Sequence, residues 1–142
     1  MRKATKFLVL PRTDQWLLLQ ALAIVTAMRV CLALLPFRPG RRRSRLRAAP
    51  QSAGPCPRRI AWAIEKVGGC LGSATCLARA RAAEIILRWR GYPARVTIGV
   101  MPGERQTEES GLIAHAWVEF EGEVLVGGPD IDRYTPLLTW SN

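Results

Sequence analysis

Apolar residues are distributed in different ways along this chain. Trp16 to Phe37 is almost continuously apolar, broken by Gln20, Thr26 and Arg29. Asp14 stands where a carboxylate can accept the free amides of a first turn, and Pro36 with Pro39-Gly40 stops the run, so it reads as a helix. Two shorter helices are predicted next, from about Arg58 to Val67, ended by Gly68-Gly69, and from about Thr75 to Arg90, ended by Gly91. Strand patterns follow. Arg95 to Met101 is rich in β-branched residues, Leu112 to Phe120 alternates, Glu121-Gly122 makes a turn, and Glu123 to Val126 returns. Helices followed by an antiparallel β-meander predict an α+β fold. Arg38 to Gly54 is a basic, Pro/Gly/Ser-containing connector, and Pro102 to Gly111 a polar loop. The connector divides the chain into an N-terminal apolar helix with its linker, 1–54, and a core, 55–142.

The apolar run has three readings. Its length is near the ~20 residues that span a bilayer. A signal peptide is disfavoured, because the stretch is long and no small-x-small cleavage site follows. A membrane span would carry Arg29 inside it, at about 2.5–3.5 kcal/mol on insertion scales. The preferred reading is a helix packed on the rest of the domain or on a partner protein, since a small core needs covering. The chain is then expected in the cytoplasm, with this helix as the route of any membrane association.

Composition narrows the class. The 142 residues leave room for one domain, and a hydrophobic fraction of 49% is enough for a core. The net charge of +10 first suggests an anionic partner. The excess is local, however. Arg38, Arg41, Arg42, Arg43, Arg45 and Arg47 cluster in the connector, whereas beyond Thr97 acidic residues outnumber Arg105 and Arg133. No motif for nucleic acid accompanies the arginines, so they read as a solvated connector or as a dock for an acidic partner, a peptide or anionic lipid. Cys56 and Cys70 lack structural zinc spacing relative to Cys76, and no metal or other cofactor is expected. Cys31 reads as helix packing. Glu84 and Arg88, four apart on a helix, read as a surface ion pair.

Two residues carry candidate chemistry. Cys76 opens the third helix, where free amides and the helix dipole stabilise negative charge. Ala80, Ala83 and Leu87 share its face and let a strand pack close. His115 is the single histidine. In Leu112 to Phe120 it shares a face with Ile113, Trp117 and Glu119, opposite the apolar face of Leu112, Ala114, Ala116, Val118 and Phe120. A cysteine opening a helix and a histidine on a later strand supply nucleophile and base. The acid that would orient the imidazole is Asp130, with Asp132 as the alternative. Trp117 is core or the wall of a cleft, with substrate contact as its functional reading, and Glu119 reads as a solvated or paired strand residue.

Cys76-Leu77-Ala78-Arg79-Ala80, Arg90-Gly91-Tyr92-Pro93-Ala94-Arg95, Ala114-His115-Ala116-Trp117-Val118-Glu119 and the ending Tyr134-Thr135-Pro136-Leu137 resemble the transglutaminase-like B2 proteins of lasso peptide biosynthesis. The resemblance covers nearly the whole chain, including the N-terminal helix closed by Leu35-Pro36-Phe37-Arg38. It implies a transglutaminase-like, papain-like core. The implied enzyme is a cysteine peptidase that removes the leader from a ribosomally made precursor peptide, with a B1-type leader-binding protein as partner and a separate lasso cyclase acting on the product. The chain departs from the family at one place: the returning strand, Val124-Leu125-Val126-Gly127-Gly128, carries no acid. Rival functions are an acyl-transferring enzyme with the same residues and a non-catalytic scaffold for precursor and cyclase.

Overall fold

The computed structural model describes residues 10–34, 54–72, 75–101, 113–128 and 130–141. Three helices, α1 (Arg12–Leu34), α2 (Pro57–Leu71) and α3 (Cys76–Trp89), precede strands β1 (Arg95–Val100), β2 (Ala114–Phe120) and β3 (Glu123–Val126), a 3-10 helix (Asp130–Arg133) and β4 (Thr135–Ser141). All strand pairs are antiparallel, and the sheet order is β3-β2-β1-β4. The fold is therefore α+β as expected, with β1-β2-β3 as the meander and β4 added on the far side of β1. The arginine-rich connector and the loop after Met101 lie outside the described residues.

Side chains from the helices and one sheet face make the core. Val25, Ile60, Ile64, Ile86, Leu87, Val96, Val118 and Val126 are its largest fully buried members. Helix α3 lies at the centre, against α1, α2 and β2. Its small residues Ala80 and Ala83 are fully buried, which permits this close packing. The first half of α1 contributes a stripe, Asp14, Leu17, Ala21 and Val25, at the helical spacing that keeps residues on one face. Trp16, Leu19, Leu22, Val30 and Leu34 remain exposed. The helix is long and apolar enough to cross a membrane, with mean hydropathy 2.1 over its most apolar window and 17% of that window buried. Cys31 is exposed rather than packed.

Four local features differ from the sequence reading. Asp14 lies inside the first turn, and both its carboxylate oxygens accept from Arg59 of α2 instead of from helix amides. Donation by Arg59 holds the Asp14 carboxyl below its ordinary range, against the opposing effect of burial. Helix α2 continues through Gly68-Gly69 to Leu71 and ends at Gly72, with φ 59°. Gly68 answers to the neighbouring helix and not to a helix end: Arg79 passes so close that a Cβ there would lie 2.3 Å from its Cδ. Glu84 is buried, 3% exposed, and accepts from Arg81 and from Trp140 Nε1 (3.2 Å), not from Arg88. Finally, β4 has no alternating burial and contains Pro136, so nothing in its pattern marked it as a strand. It is an edge strand, where a proline is tolerated. The Glu84–Trp140 bond and the Thr97–Thr139 hydroxyl pair (3.2 Å) hold it to the domain.

Candidate active site

Helix α3 begins at a defined place. Thr75 takes the extended backbone of an N-cap, and its hydroxyl accepts from the Ala78 amide at 3.2 Å. That bond satisfies one of the orphan amides of the first turn and fixes where Cys76 starts the helix. Cys76 is half-buried, and its Sγ lies 4.0 Å from the Ala114 carbonyl, at the start of β2. The packing of α3 on β2 thus brings the cysteine to the residue next to His115. Among the described residues, Sγ makes its polar contact with that carbonyl and not with the imidazole.

The His115 ring is held from three sides. Its Nε2 lies 2.6 Å from the carbonyl oxygen of Gly127. A carbonyl only accepts, so in the neutral ring Nε2 carries the proton and Nδ1 presents a lone pair. Tyr134 packs on the ring with centroids 5.1 Å apart, and Trp117 with centroids 6.3 Å apart at 24° between planes. Trp117 is 3% exposed, and its indole N–H donates to Glu119 (2.7 Å). The indole therefore lies inside the domain, as the wall behind His115. Glu119 is paired, as the sequence reading allowed.

Asp130 and Asp132 are both exposed, on the 3-10 helix that follows. The group on the imidazole Nε2 is instead the backbone three residues earlier in sequence. Gly127 has φ 116°, a region L side chains rarely enter. A Cβ on it would stand 2.5 Å from the Trp117 Cβ and 2.9 Å from its Cα. Its amide donates to Glu65 Oε1 of α2 at 3.3 Å, while Glu65 Oε2 accepts from Arg79 at 2.9 Å. Neither Gly127 nor Glu65 was singled out in the sequence. A Gly-Gly pair closing a strand could have flagged a special backbone. Glu65 left a fainter signal: it sits one turn before a helical glycine, a gap through which an arginine can reach it. Among the described residues no three His, Cys, Asp or Glu side chains converge in a metal-holding group.

Searches of curated proteins and of solved structures return no match. A family model does match, over residues 18–139, from the core-facing part of α1 to the last strand. That span takes in the helix opened by Cys76, the strand bearing His115 and the glycine that engages its ring, and it makes this chain a member of the transglutaminase-like superfamily.

Proposed function

We propose that the protein is a cysteine peptidase that cleaves the leader from a ribosomally made precursor peptide of the lasso class. The observation that carries the chemistry is the His115–Gly127 bond, which leaves Nδ1 as a proton acceptor on the residue adjoining the one that Cys76 abuts. Membership of the superfamily supports a cysteine-dependent enzyme. The resemblance of the Cys-Leu, Gly-x-Pro-Ala and His-Ala-Trp-Val-Glu elements supports the substrate. Catalytic hydrogen bonds are often long before substrate arrives, so the Cys76–His115 contact is expected to form in the complex.

In this mechanism His115 takes the Cys76 proton and Sγ attacks the carbonyl carbon at the leader–core junction. The S–C bond forms, the C–N bond breaks, and the leaving amine takes the proton from His115. The Cys76 amide, at the first helical position, has no intrahelical acceptor and is suited to donate to the developing oxyanion. Water, deprotonated by His115, then hydrolyses the thioester to a leader carboxylate and free thiol. The ring needs an acceptor on its other nitrogen. The sequence offers Asp130, or Asp132, for that place, and the Gly127 carbonyl occupies it in this structure.

The deciding experiment incubates precursor with the leader-binding protein and wild type, Cys76→Ala or His115→Ala, read by mass. A free leader carboxylate formed by wild type alone is expected. Cleavage by Cys76→Ala refutes the peptidase assignment, and a leader conjugated to an amine redirects it to acyl transfer. Cleavage takes place in the cytoplasm on this reading, and cell fractionation tests whether the exposed face of α1 holds the protein at a membrane.

A further inference from the structure

The structure assigns Glu65 as a positioning residue that fixes the His115 ring through the backbone of Gly127. The inference deepens the peptidase reading and rests on it for its catalytic meaning, although its geometry stands alone. Among the described residues, the His115 ring makes its hydrogen bond to one backbone oxygen, which belongs to a residue without a side chain, just past the end of β3. The backbone on both sides of the Gly127 Cα therefore needs an external hold. Trp117 supplies one side of it, since its Cα and Cβ leave no room for a Cβ on Gly127. Glu65 supplies the other, by accepting the Gly127 N–H.

The same carboxylate is held in its turn. Arg79 lies one turn beyond Cys76 in α3 and donates to Glu65, and the two side chains are 27% and 39% exposed. Arg79 reaches Glu65 only because Gly68 has no side chain where its stem crosses α2. Glycine inside a helix is unfavourable by about 1 kcal/mol relative to alanine, so its presence there calls for a reason, and the crossing supplies one. Arg79, Glu65, Gly127 and His115 thus form a continuous chain of contacts. It ties the helix that carries the proposed nucleophile and the strand that carries the proposed base to one carboxylate on α2. A carbonyl fixes the imidazole tautomer without bearing a charge. Glu65, paired with Arg79, holds the residue that carries this carbonyl.

The single histidine makes the test direct. Imidazole 15N shifts of untagged protein report which nitrogen carries the proton, with no assignment problem and no substrate. The wild type is expected to show the Nε2–H tautomer. Glu65→Ala should lose that preference and give shifts averaged between tautomers, and Glu65→Gln, which keeps an acceptor for the Gly127 amide, should restore it. Circular dichroism and thermal melts confirm that each variant is folded. With precursor and leader-binding protein, Glu65→Ala should lower kcat about 10-fold or more, with KM changed less than twofold, as for a lost positioning contact. Asp130→Asn and Asp132→Asn should keep the wild-type signature. A folded Glu65→Ala with wild-type shifts overturns the assignment, as does an Nδ1–H tautomer in the wild type. A signature lost in Asp130→Asn but kept in Glu65→Ala also overturns it. Cleavage by Cys76→Ala would defeat the peptidase reading alone, because the nitrogen shifts do not depend on catalysis.

Discussion

Neighbouring glycines in α2 offer a test in which general propensity and specific geometry predict opposite signs. Gly68 and Gly69 both lie within the helix (Pro57–Leu71), and neither has a positive φ. Around Gly69 a Cβ would meet nothing within 4 Å. Gly69→Ala should therefore stabilise the protein by about 0.5–1 kcal/mol, the ordinary gain for alanine over glycine in a helix. Gly68→Ala makes the same local gain, but its Cβ would lie 2.3 Å from Arg79 Cδ and 3.2 Å from Cγ. These are atoms of the stem, so the guanidinium cannot stay on Glu65 while the stem moves aside. Overpacking opposes the gain by about 1–3 kcal/mol. Loss of the half-exposed Arg79–Glu65 pair adds about 0.5–1 kcal/mol. Gly68→Ala should thus fall about 2 kcal/mol below Gly69→Ala in urea denaturation at unchanged m, a gap of roughly 4–8 °C in Tm. A Gly68→Ala protein as stable as Gly69→Ala would refute the account of α2 and remove the physical reason for the Arg79 crossing.

Other contacts make their own predictions. Thr75→Ala removes the acceptor of the Ala78 amide and should cost about 1 kcal/mol in chemical denaturation, with Thr75→Ser close to wild type. Asp14 has a folded-state pKa lowered by the Arg59 hydrogen bond, so its stabilising contribution is present above the ordinary carboxylate value and lost as pH falls through the folded one. The stability difference between wild type and Asp14→Asn, followed by denaturation at several pH values, should be full at about pH 6 and shrink below about pH 4. A difference that grows on acidification would contradict the ion pair. Glu84→Ala leaves the Trp140 N–H and Arg81 without their buried acceptor and should cost about 2–4 kcal/mol. Hydrogen exchange should then show β4 amides opening before those of β2.

Much of the fold was readable because its determinants are local. The helix opened at Thr75-Cys76, the glycine stop at Gly91 and the strand around His115 each fall within one stretch of chain and reappear in the structure, although burial along that strand does not alternate, because Trp117 is buried with Ala116 and Val118 while Ala114 is exposed. What escaped depends on partners distant in sequence. Gly68-Gly69 looks like a terminator until Arg79 is known to cross it. Asp14 looks like a cap until Arg59 arrives from the next helix. Strand β4 has almost no burial signal, because β1 pairs with one edge of it and its side chains are mostly exposed. The candidate pair, Cys76 and His115, was legible from residue type and order. The group that engages the imidazole was not, because it is a main-chain oxygen, and backbone atoms are the same at every position in a sequence.

That difference bears on how the proposed site would work. A carboxylate on the imidazole fixes its tautomer and also balances the charge that forms when the ring takes a proton. It can itself be protonated in acid, and the orientation then fails. A peptide carbonyl does not titrate, so it favours the Nε2–H tautomer of the neutral ring without depending on the protonation of an acid, but it offers the imidazolium a dipole instead of a charge. The task of orientation is divided here: the Gly127 oxygen meets the ring, and Glu65, itself paired with Arg79, accepts from the Gly127 amide. The division comes at the expense of tolerance. An acid on a flexible side chain can adjust to a shifted ring, whereas the carbonyl of a residue at φ 116°, where Trp117 leaves no room for a Cβ, has less freedom to follow it. Within the proposed mechanism, changes near Gly127 should therefore reduce turnover more sharply than they reduce stability.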